Sequence, residues 1–186
     1  MSPKIILASA SPRRSSILSE NGFKFEVYKS QFQETKTGNP ELILKKNCLG
    51  KLEDVSKKFP KAIIISGDTF PYFKGSIYSK PGDEKEAGKF LRDFSSNSQE
   101  VFSGFALSFE GKTIFNFVVS EVFFREISDS EIANYLKTNE WRGRSGGYAC
   151  RGEAGKFIEK IKGSVAAVEG FPIEIFLETW KKFILK

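Results

Sequence analysis

Short apolar runs alternate with helix-like patterns from the start of the chain. Residues 5–7 are continuously apolar and predict a strand, residues 12–20 predict a helix that stops at Asn21-Gly22, and residues 25–28 predict a second strand. An alternation of strands and helices of this kind is typical of an α/β fold.

A longer amphipathic helix is predicted after Asn39-Pro40, which supplies a cap and a first turn. Its apolar stripe recurs at helical spacing and consists of Leu44, Cys48, Leu52, Val55 and Phe59. Lys51 lies at the margin of this stripe. That position suits a functional lysine and equally a lysine whose ammonium snorkels to solvent.

The next apolar run, residues 62–66, ends in Gly67-Asp68-Thr69. We interpret it as a buried strand that delivers the Asp68 carboxylate at its carboxyl end, which is the edge where ligands bind in open α/β sheets. A carboxylate at that edge is suited to Mg²⁺ or to an attacking water. The alternative for Asp68 is a helix or turn cap.

The second half of the chain predicts a further lobe or an extension of the sheet. A helix that ends near Phe94 is followed by two strands, residues 101–109 and 113–124, which form an antiparallel hairpin. The capping box that begins at Ser128 starts another helix, and an apolar stripe after Pro172 predicts the last one.

The run from Ser9 to Arg14 joins the first strand to a helix start rich in hydroxyls and guanidiniums. Ser11 suits the cap, and the free N–H groups beyond Pro12 offer a seat for an anion. Arg13 and Arg14 supply bidentate donors for a phosphate. The alternative is an ordinary capped helix with two solvated arginines.

Composition narrows the chemistry further. A chain of 186 residues with 40% hydrophobic content predicts one globular domain over residues 1–186. The lack of a signal-like start and of any run of about 18 apolar residues leads us to expect a cytoplasmic protein that does not enter membranes.

With two cysteines and no histidine, we expect Cys48 and Cys150 to be buried thiols, with no histidine base or zinc site.

The charge balance favours an anionic partner. The chain has a formal net charge of +6 and a pI near 9.2. Its basic residues are dispersed among acidic ones, and no zinc-finger or RRM motif is present, so we expect a small polyphosphate and no polymeric nucleic acid. A nucleic-acid-binding module is the weaker alternative.

Several motifs together resemble the Maf family of nucleoside triphosphate pyrophosphatases. The opening run from Ser9 to Arg14 matches the family's first motif, and six further segments follow in the family's order: Gln33-Glu34, Leu49 to Val55 with Lys51, Ser66-Gly67-Asp68-Thr69, Lys80-Pro81, Gly143 to Tyr148, and Gly163-Ser164 with Gly170-Phe171-Pro172. The resemblance covers roughly residues 4–185.

The resemblance implies an elongated, two-lobed α/β fold, with a mixed sheet, flanking helices and a central cleft, and often a homodimer. It also implies Mg²⁺-dependent hydrolysis of a nucleoside triphosphate, including non-standard ones, to the monophosphate and pyrophosphate by attack at the α-phosphorus. The residues by themselves equally permit loss of the terminal phosphate. A regulatory protein linked to cell division, which binds the nucleotide with little turnover, is the alternative function.

The family motifs assign roles to individual residues. Asp68 would act as the base or orient the attacking water, and Glu34, which is otherwise an ordinary solvated glutamate, would share a metal ion with it. Lys51 and Lys80 would act with Asp68 in catalysis by neutralising the polyphosphate. The expected substrate-binding residues are Ser9, Arg13, Arg14, Thr69, Arg144, Tyr148 and Arg151.

The glycine-rich segment departs from the family pattern in two places. Pyrimidine-specific members usually carry Asp-Lys-Ala where this chain has Gly143-Arg144-Ser145, and glutamine where it has Arg151. An amide both donates and accepts hydrogen bonds, whereas a guanidinium only donates. Thr69 and Arg13 still resemble the branch that acts on dTTP and UTP, so a weak preference for these bases is expected. A flexible hairpin is the alternative interpretation of the segment.

Overall fold

The computed structural model describes residues 3–184, which form one mixed sheet with helices around it. The strands are β1 (Ile5–Leu7), β2 (Glu26–Val27), β3 (Ile63–Phe73), β4 (Ser76–Ile77), β5 (Ser98–Phe109), β6 (Lys112–Phe124) and β7 (Ile158–Lys162). The helices are α1 (Pro12–Glu20), α2 (Pro40–Ser56), α3 (Glu84–Phe94), α4 (Asp129–Lys137), α5 (Val165–Glu169) and α6 (Ile173–Ile184). Two 3₁₀ turns cover Ser145–Gly147 and Glu153–Phe157. Within residues 3–184, every helix is too short or too polar to cross a bilayer.

The sheet has the strand order β2-β1-β3-β5-β6-β7, and β4 pairs with β3. β1 runs parallel to β2 and β3, whereas the other pairs are antiparallel. A two-residue turn, Glu110-Gly111, joins β5 to β6 and has positive φ at both positions, as tight hairpins require. The α/β class and the hairpin predicted from the sequence are confirmed.

The prediction that Asp68 ends its strand is wrong. β3 continues to Phe73, so Asp68 lies in the middle of the strand, opposite Gly104 of β5. The parallel pairing with β1 stops at Ile65, and β3 then pairs with β5 along one side and only with the two-residue β4 on the other. Pro71 is tolerated there because an edge position does not need its missing N–H donor. Asp68 therefore lies just beyond the carboxyl edge of the parallel part of the sheet.

The first two helices begin where the sequence predicts them. Ser11 caps α1 and Asn39 caps α2, each by accepting a hydrogen bond from a backbone N–H of the first turn. The α2 stripe is buried against the sheet from Leu44 to Val55. The side chains of β3 alternate between the two faces, so Ile64 packs under α2 while Ile63 and Ile65 pack under α1 and α6.

A separate aromatic core lies at the far end of the sheet. It is built by α3, α4, the second 3₁₀ turn and the ends of β3, β5 and β6 around Phe94, Tyr135, Trp141 and Phe157. Ser128 forms the expected capping box with Glu131 at the start of α4. This second core gives the fold its second lobe, and the cleft described next is lined by residues of both lobes.

Candidate active site

A cleft of about 910 Å³ opens beside the middle of β3, which is a usual size for a ligand site. One wall comprises the loop before α1, the first turn of α1, the loop after β2 and one side of α2. The opposite wall comprises the loop before α3 and residues 142–152, and the end of α5 closes the cleft between them. All the residues proposed from the sequence line this cleft: Ser9, Arg13, Arg14, Glu34, Lys51, Asp68, Thr69, Lys80, Arg144, Tyr148 and Arg151.

Asp68 and Lys51 form an ion pair at the floor of the cleft. Lys51 Nζ donates to Asp68 Oδ1 at 3.0 Å and to the Gly67 carbonyl oxygen at 3.3 Å. Asn47 Nδ2 donates to the other carboxylate oxygen at 2.8 Å. The Lys51 and Asp68 residues are only 8% and 9% exposed. Lys51 therefore points inward to a carboxylate, and the snorkelling alternative does not describe it.

These contacts keep Asp68 ionised. Burial alone raises its pKa, but the Lys51 charge, the hydrogen bonds from Asn47 and Lys51, and the Arg14 charge outweigh burial and hold the pKa below its usual value. Asn47 was not singled out from the sequence. Its place one helical turn before Lys51, on the buried face of α2, is the signal that would have found it.

Glu34 reaches the same ammonium group. Its Oε1 atom lies 2.6 Å from Lys51 Nζ, and its side chain is 45% exposed to the cleft. The carboxylates of Glu34 and Asp68 therefore both contact the Lys51 ammonium group and lie close to each other. Among residues 3–184, no group of three or more Asp, Glu, Cys and His side chains forms a metal cluster. An all-oxygen pair of carboxylates fits a cation such as Mg²⁺, which keeps several waters or phosphate oxygens as its remaining ligands.

The start of α1 places Arg14 beneath the cleft. Arg14 Nη1 donates to Ser9 Oγ, and the Arg14 backbone N–H bonds to the capping Ser11. The guanidinium is buried, and its Nε atom has no hydrogen-bond partner among the described residues. Burial lowers the Arg14 pKa, and nearby negative charges, chiefly Asp68, partly offset this effect. Gly67 allows the close approach, because a Cβ atom there would lie 3.0 Å from Arg14 Nε.

The lining of the cleft is strongly cationic. Across residues 3–184, nine basic side chains line it against three carboxylates, Glu34, Asp68 and Glu169. The basic residues are Arg13, Arg14, Lys29, Lys36, Lys51, Lys80, Arg142, Arg144 and Arg151. Lys80 is exposed at the wall opposite Lys51. This excess of positive charge suits a ligand that carries several negative charges.

Three other residues predicted to bind substrate, Thr69, Arg144 and Tyr148, form hydrogen bonds within the protein. Thr69 shares a 2.7 Å hydrogen bond with Ser103, and Arg144 Nε donates to the Glu140 carbonyl oxygen. Tyr148 is buried, its hydroxyl accepts from Gln99, and its ring packs in the aromatic core. Tyr148 therefore anchors the glycine-rich segment to the aromatic core.

Backbone bonds also fix that segment. The Gly146 N–H donates to the carbonyl oxygens of Tyr78 and Ser79, and the Gly147 carbonyl accepts from Tyr135. Gly146 and Gly147 both have positive φ, which favours glycine. A flexible hairpin does not describe this segment.

A buried carboxylate that the sequence did not single out joins the two walls. Glu169 ends α5, and its side chain is only 6% exposed. Its Oε1 atom forms an ion pair with Arg13 Nη2 and lies 3.1 Å from Arg151 Nε. Arg13 is 156 residues away in the sequence, so no local pattern around Glu169 indicates the contact.

The two cysteines differ from each other. Cys48 is buried as expected, and burial raises its thiol pKa. The expectation that Cys150 is buried is wrong, because it is partly exposed where the glycine-rich segment lines the cleft. Burial and the charge of Glu169 raise the pKa of Cys150 to about 11, so the thiol is protonated at neutral pH.

Comparison with known proteins identifies the family. A family model described as Maf-like protein matches residues 4–183. The chain is 38% identical to a dTTP/UTP pyrophosphatase from Pyrococcus horikoshii, with 95% of each chain covered. It is 36% identical to a protein of the same name from Treponema denticola, with 96% of each chain covered. It is 35% identical to another from Dictyoglomus thermophilum, over 93% of this chain and 92% of that protein. Agreement over nearly the whole chain shows that this protein belongs to the Maf family.

Proposed function

We propose that this protein hydrolyses a nucleoside triphosphate to the monophosphate and pyrophosphate, with a preference for dTTP and UTP. The observation that carries the proposal is the ionised Asp68 carboxylate, held by Lys51 and Asn47 at the floor of a cationic cleft. Membership of the Maf family and the names of the relatives support the reaction and the base preference.

The cationic residues would bind the polyphosphate. Ser9, Arg13 and the first turn of α1 offer hydroxyl, guanidinium and backbone donors at one side of the cleft. Lys80 approaches from the other side, where Pro81 restricts its backbone to extended geometry. Buried Arg14 lies beneath both, where its hydrogen bond to Ser9 holds the guanidinium charge in place.

In the reaction, a water oxygen attacks the α-phosphorus. The bond between the α-phosphorus and the bridging oxygen breaks, and its electron pair leaves on pyrophosphate. Asp68 would orient the water and accept its proton, because each carboxylate oxygen keeps a free lone pair beside its bond to Lys51 or Asn47. Lys51 would stabilise negative charge as it develops on the phosphoryl oxygens.

Asp68 and Glu34 would together hold Mg²⁺, with the substrate's phosphate oxygens completing the ligands. When bound, the ion supplies charge neutralisation to the triphosphate and polarises the attacked phosphoryl group. In the absence of the ion, Lys51 Nζ would keep the carboxylates of Asp68 and Glu34 close to each other.

The test is product analysis with matched variants. Purified protein is incubated with Mg²⁺ and a panel of standard and modified nucleoside triphosphates, and the products are resolved by ion-exchange chromatography. Asp68→Asn removes the proposed catalytic charge. Asp129→Asn makes the same chemical change on a residue that is exposed and lies outside the cleft.

We expect monophosphate and pyrophosphate from the wild type and from Asp129→Asn, fastest with dTTP and UTP. Asp68→Asn should bind nucleotide and lose activity by about 10²–10⁴-fold. Diphosphate and phosphate as products would contradict the position of cleavage. Tight nucleotide binding without turnover by the wild type would favour the regulatory alternative, and near-normal turnover by Asp68→Asn would contradict the role of Asp68.

A further inference from the structure

The contact of Glu169 with Arg151 suggests how the base is selected. Arg151 is 68% exposed in its side chain and lines the cleft, whereas the Glu169 side chain is 6% exposed. An ion pair with so exposed an arginine contributes only about 0–1 kcal/mol to stability. The ion pair contributes little to stability, but it sets the direction in which the guanidinium of Arg151 and the carboxylate of Glu169 point.

The pair presents a donor beside an acceptor. A guanidinium has five N–H donors and no acceptor, so Arg151 alone reads only acceptor atoms. Both ion pairs of Glu169 use Oε1. Within residues 3–184, Oε2 accepts no hydrogen bond and is not sealed from solvent. Glu169 Oε2 is thus free to accept a hydrogen bond from a ligand next to the N–H groups of Arg151.

We propose that Arg151 and Glu169 together recognise the keto–imide edge of uracil and thymine. Arg151 donates to the O4 carbonyl, and Glu169 Oε2 accepts from the adjacent N3–H. The proposal deepens the proposed function, on which it rests for the nucleotide substrate.

The same pair rejects cytosine. Cytosine has an amino donor at C4 and a bare acceptor at N3, so both of its groups are reversed relative to uracil. The amino group would face the donors of Arg151, and N3 would face the carboxylate oxygen. Adenine presents the same reversal at N6 and N1. Sites that hydrogen-bond a substrate reject such analogues strongly, because the polar groups of the site are then left unpaired.

Arg13 links this base site to the phosphate site. Its guanidinium, on the first turn of α1, shares Glu169 Oε1 with Arg151. Glu169 is thereby held by a guanidinium from each wall of the cleft. A base that pairs with Oε2 therefore lies beside the residues proposed to bind the polyphosphate.

The test measures nucleotide binding without turnover. Equilibrium dissociation constants for UTP and CTP are determined by calorimetry in the Asp68→Asn background, with and without Glu169→Gln. Glutamine has the same size as glutamate, but its amide can turn to donate or to accept. We expect the parent to prefer UTP and Glu169→Gln to reduce the UTP-to-CTP preference by about tenfold or more, as for loss of a hydrogen bond to a charged group.

Three further variants separate recognition from folding. Glu153→Gln removes a carboxylate outside the cleft and should leave the preference unchanged. Glu169→Asp keeps the charge and should retain more of the preference than Glu169→Gln. Arg151→Met alters an exposed side chain, so it should fold even where Glu169→Gln does not, and it should also reduce the preference.

Equal binding of UTP and CTP by the parent would overturn the proposal. An unchanged ratio in Glu169→Gln and Arg151→Met, or an equal loss of affinity for both nucleotides, would overturn it as well, since a purely structural role weakens both alike. Failure of the proposed function has a different signature, because wild-type protein would then hydrolyse neither nucleotide whatever the binding ratio.

Discussion

Replacing Lys51 with methionine tests whether the ion pair at the floor of the cleft is truly buried. Methionine is similar in length to lysine, so the change removes the charge with little change in packing. It leaves Asp68 with the Asn47 hydrogen bond and without its main positive partner. Glu34, by contrast, is half exposed and is left beside water.

The expected cost follows from the burial of the pair. Removing one partner of a buried ion pair costs about 3–5 kcal/mol, because the remaining charge is uncompensated. Lys51 and Asp68 are both less than a tenth exposed, so this range applies at pH 7. Asp68→Asn should cost less, about 1–3 kcal/mol, because Lys51 still pairs with Glu34 at 2.6 Å.

The cost should depend on pH with a definite sign. In the wild type, the lowered pKa of Asp68 contributes stability that is present above its unfolded pKa of about 3.9 and is lost as the pH falls through the folded value. In Lys51→Met, burial of Asp68 is no longer opposed by Lys51, so its pKa rises and the carboxyl protonates at higher pH. The difference in stability between the two proteins should therefore shrink between pH 7 and pH 4.

Urea denaturation, followed by the fluorescence of Trp141 and Trp180, measures these free energies of unfolding. The double variant Lys51→Met with Asp68→Asn should be more stable than the sum of the two single losses predicts, because the uncompensated charge is gone. A loss below 1 kcal/mol for Lys51→Met, independent of pH, would refute the reasoning and would mean that the lysine is solvated.

Three further changes are predicted from local geometry. Gly50→Ala places a Cβ atom 2.2 Å from the Phe32 ring. It should therefore displace the loop that carries Glu34, the proposed metal-binding glutamate, and weaken activity. Alanine in place of glycine ordinarily stabilises a helix by about 1 kcal/mol, so the effect on stability opposes the effect on activity. Both effects are measurable as a Mg²⁺ activation curve and a melting curve. Gly67→Ala crowds Arg14 Nε at 3.0 Å and should raise the KM for the triphosphate in steady-state assays. Glu131→Gln should lower the melting temperature at pH 6, and because the folded pKa of Glu131 is about 2, this difference should vanish as the pH falls toward 2.

Each of these predictions has an outcome that contradicts it. Unchanged Mg²⁺ activation in Gly50→Ala would mean that the Phe32 ring moves without its loop. An unchanged KM in Gly67→Ala would separate Arg14 from substrate binding. A melting-temperature difference for Glu131→Gln that is constant from pH 6 to pH 2 would exclude an ionised Glu131 as its origin.

Local sequence patterns predicted the elements that carry most of the site. α1 and α2 begin at the expected caps, and β1 has the expected bounds, because their caps and apolar spacing are encoded within a few residues. The same local spacing placed Lys51 at the margin of the α2 stripe and Asp68 directly after the apolar run of β3, whereas their proposed roles came from the family resemblance. The extent of β3 was missed because Gly67 and Pro71 look like strand breakers, and only the pairing with β5 shows that the strand continues.

The features that the sequence did not indicate depend on distant contacts. β7 and α5 have only five residues each, too few for a clear periodic pattern. Glu169 resembles a surface glutamate before a glycine, and its partners Arg13 and Arg151 come from different segments of the chain. Only the folded arrangement places its carboxylate next to Arg151, where it supplies the acceptor that the arginine lacks.

The most direct test of the central claim is the fate of the water oxygen. UTP is incubated with the protein and Mg²⁺ in oxygen-18-labelled water, and the products are analysed by ³¹P NMR and mass spectrometry. Attack at the α-phosphorus in the Asp68 site predicts labelled UMP, unlabelled pyrophosphate and loss of both in Asp68→Asn. Label in pyrophosphate, UDP with labelled phosphate, or the same turnover in Asp68→Asn would contradict the account.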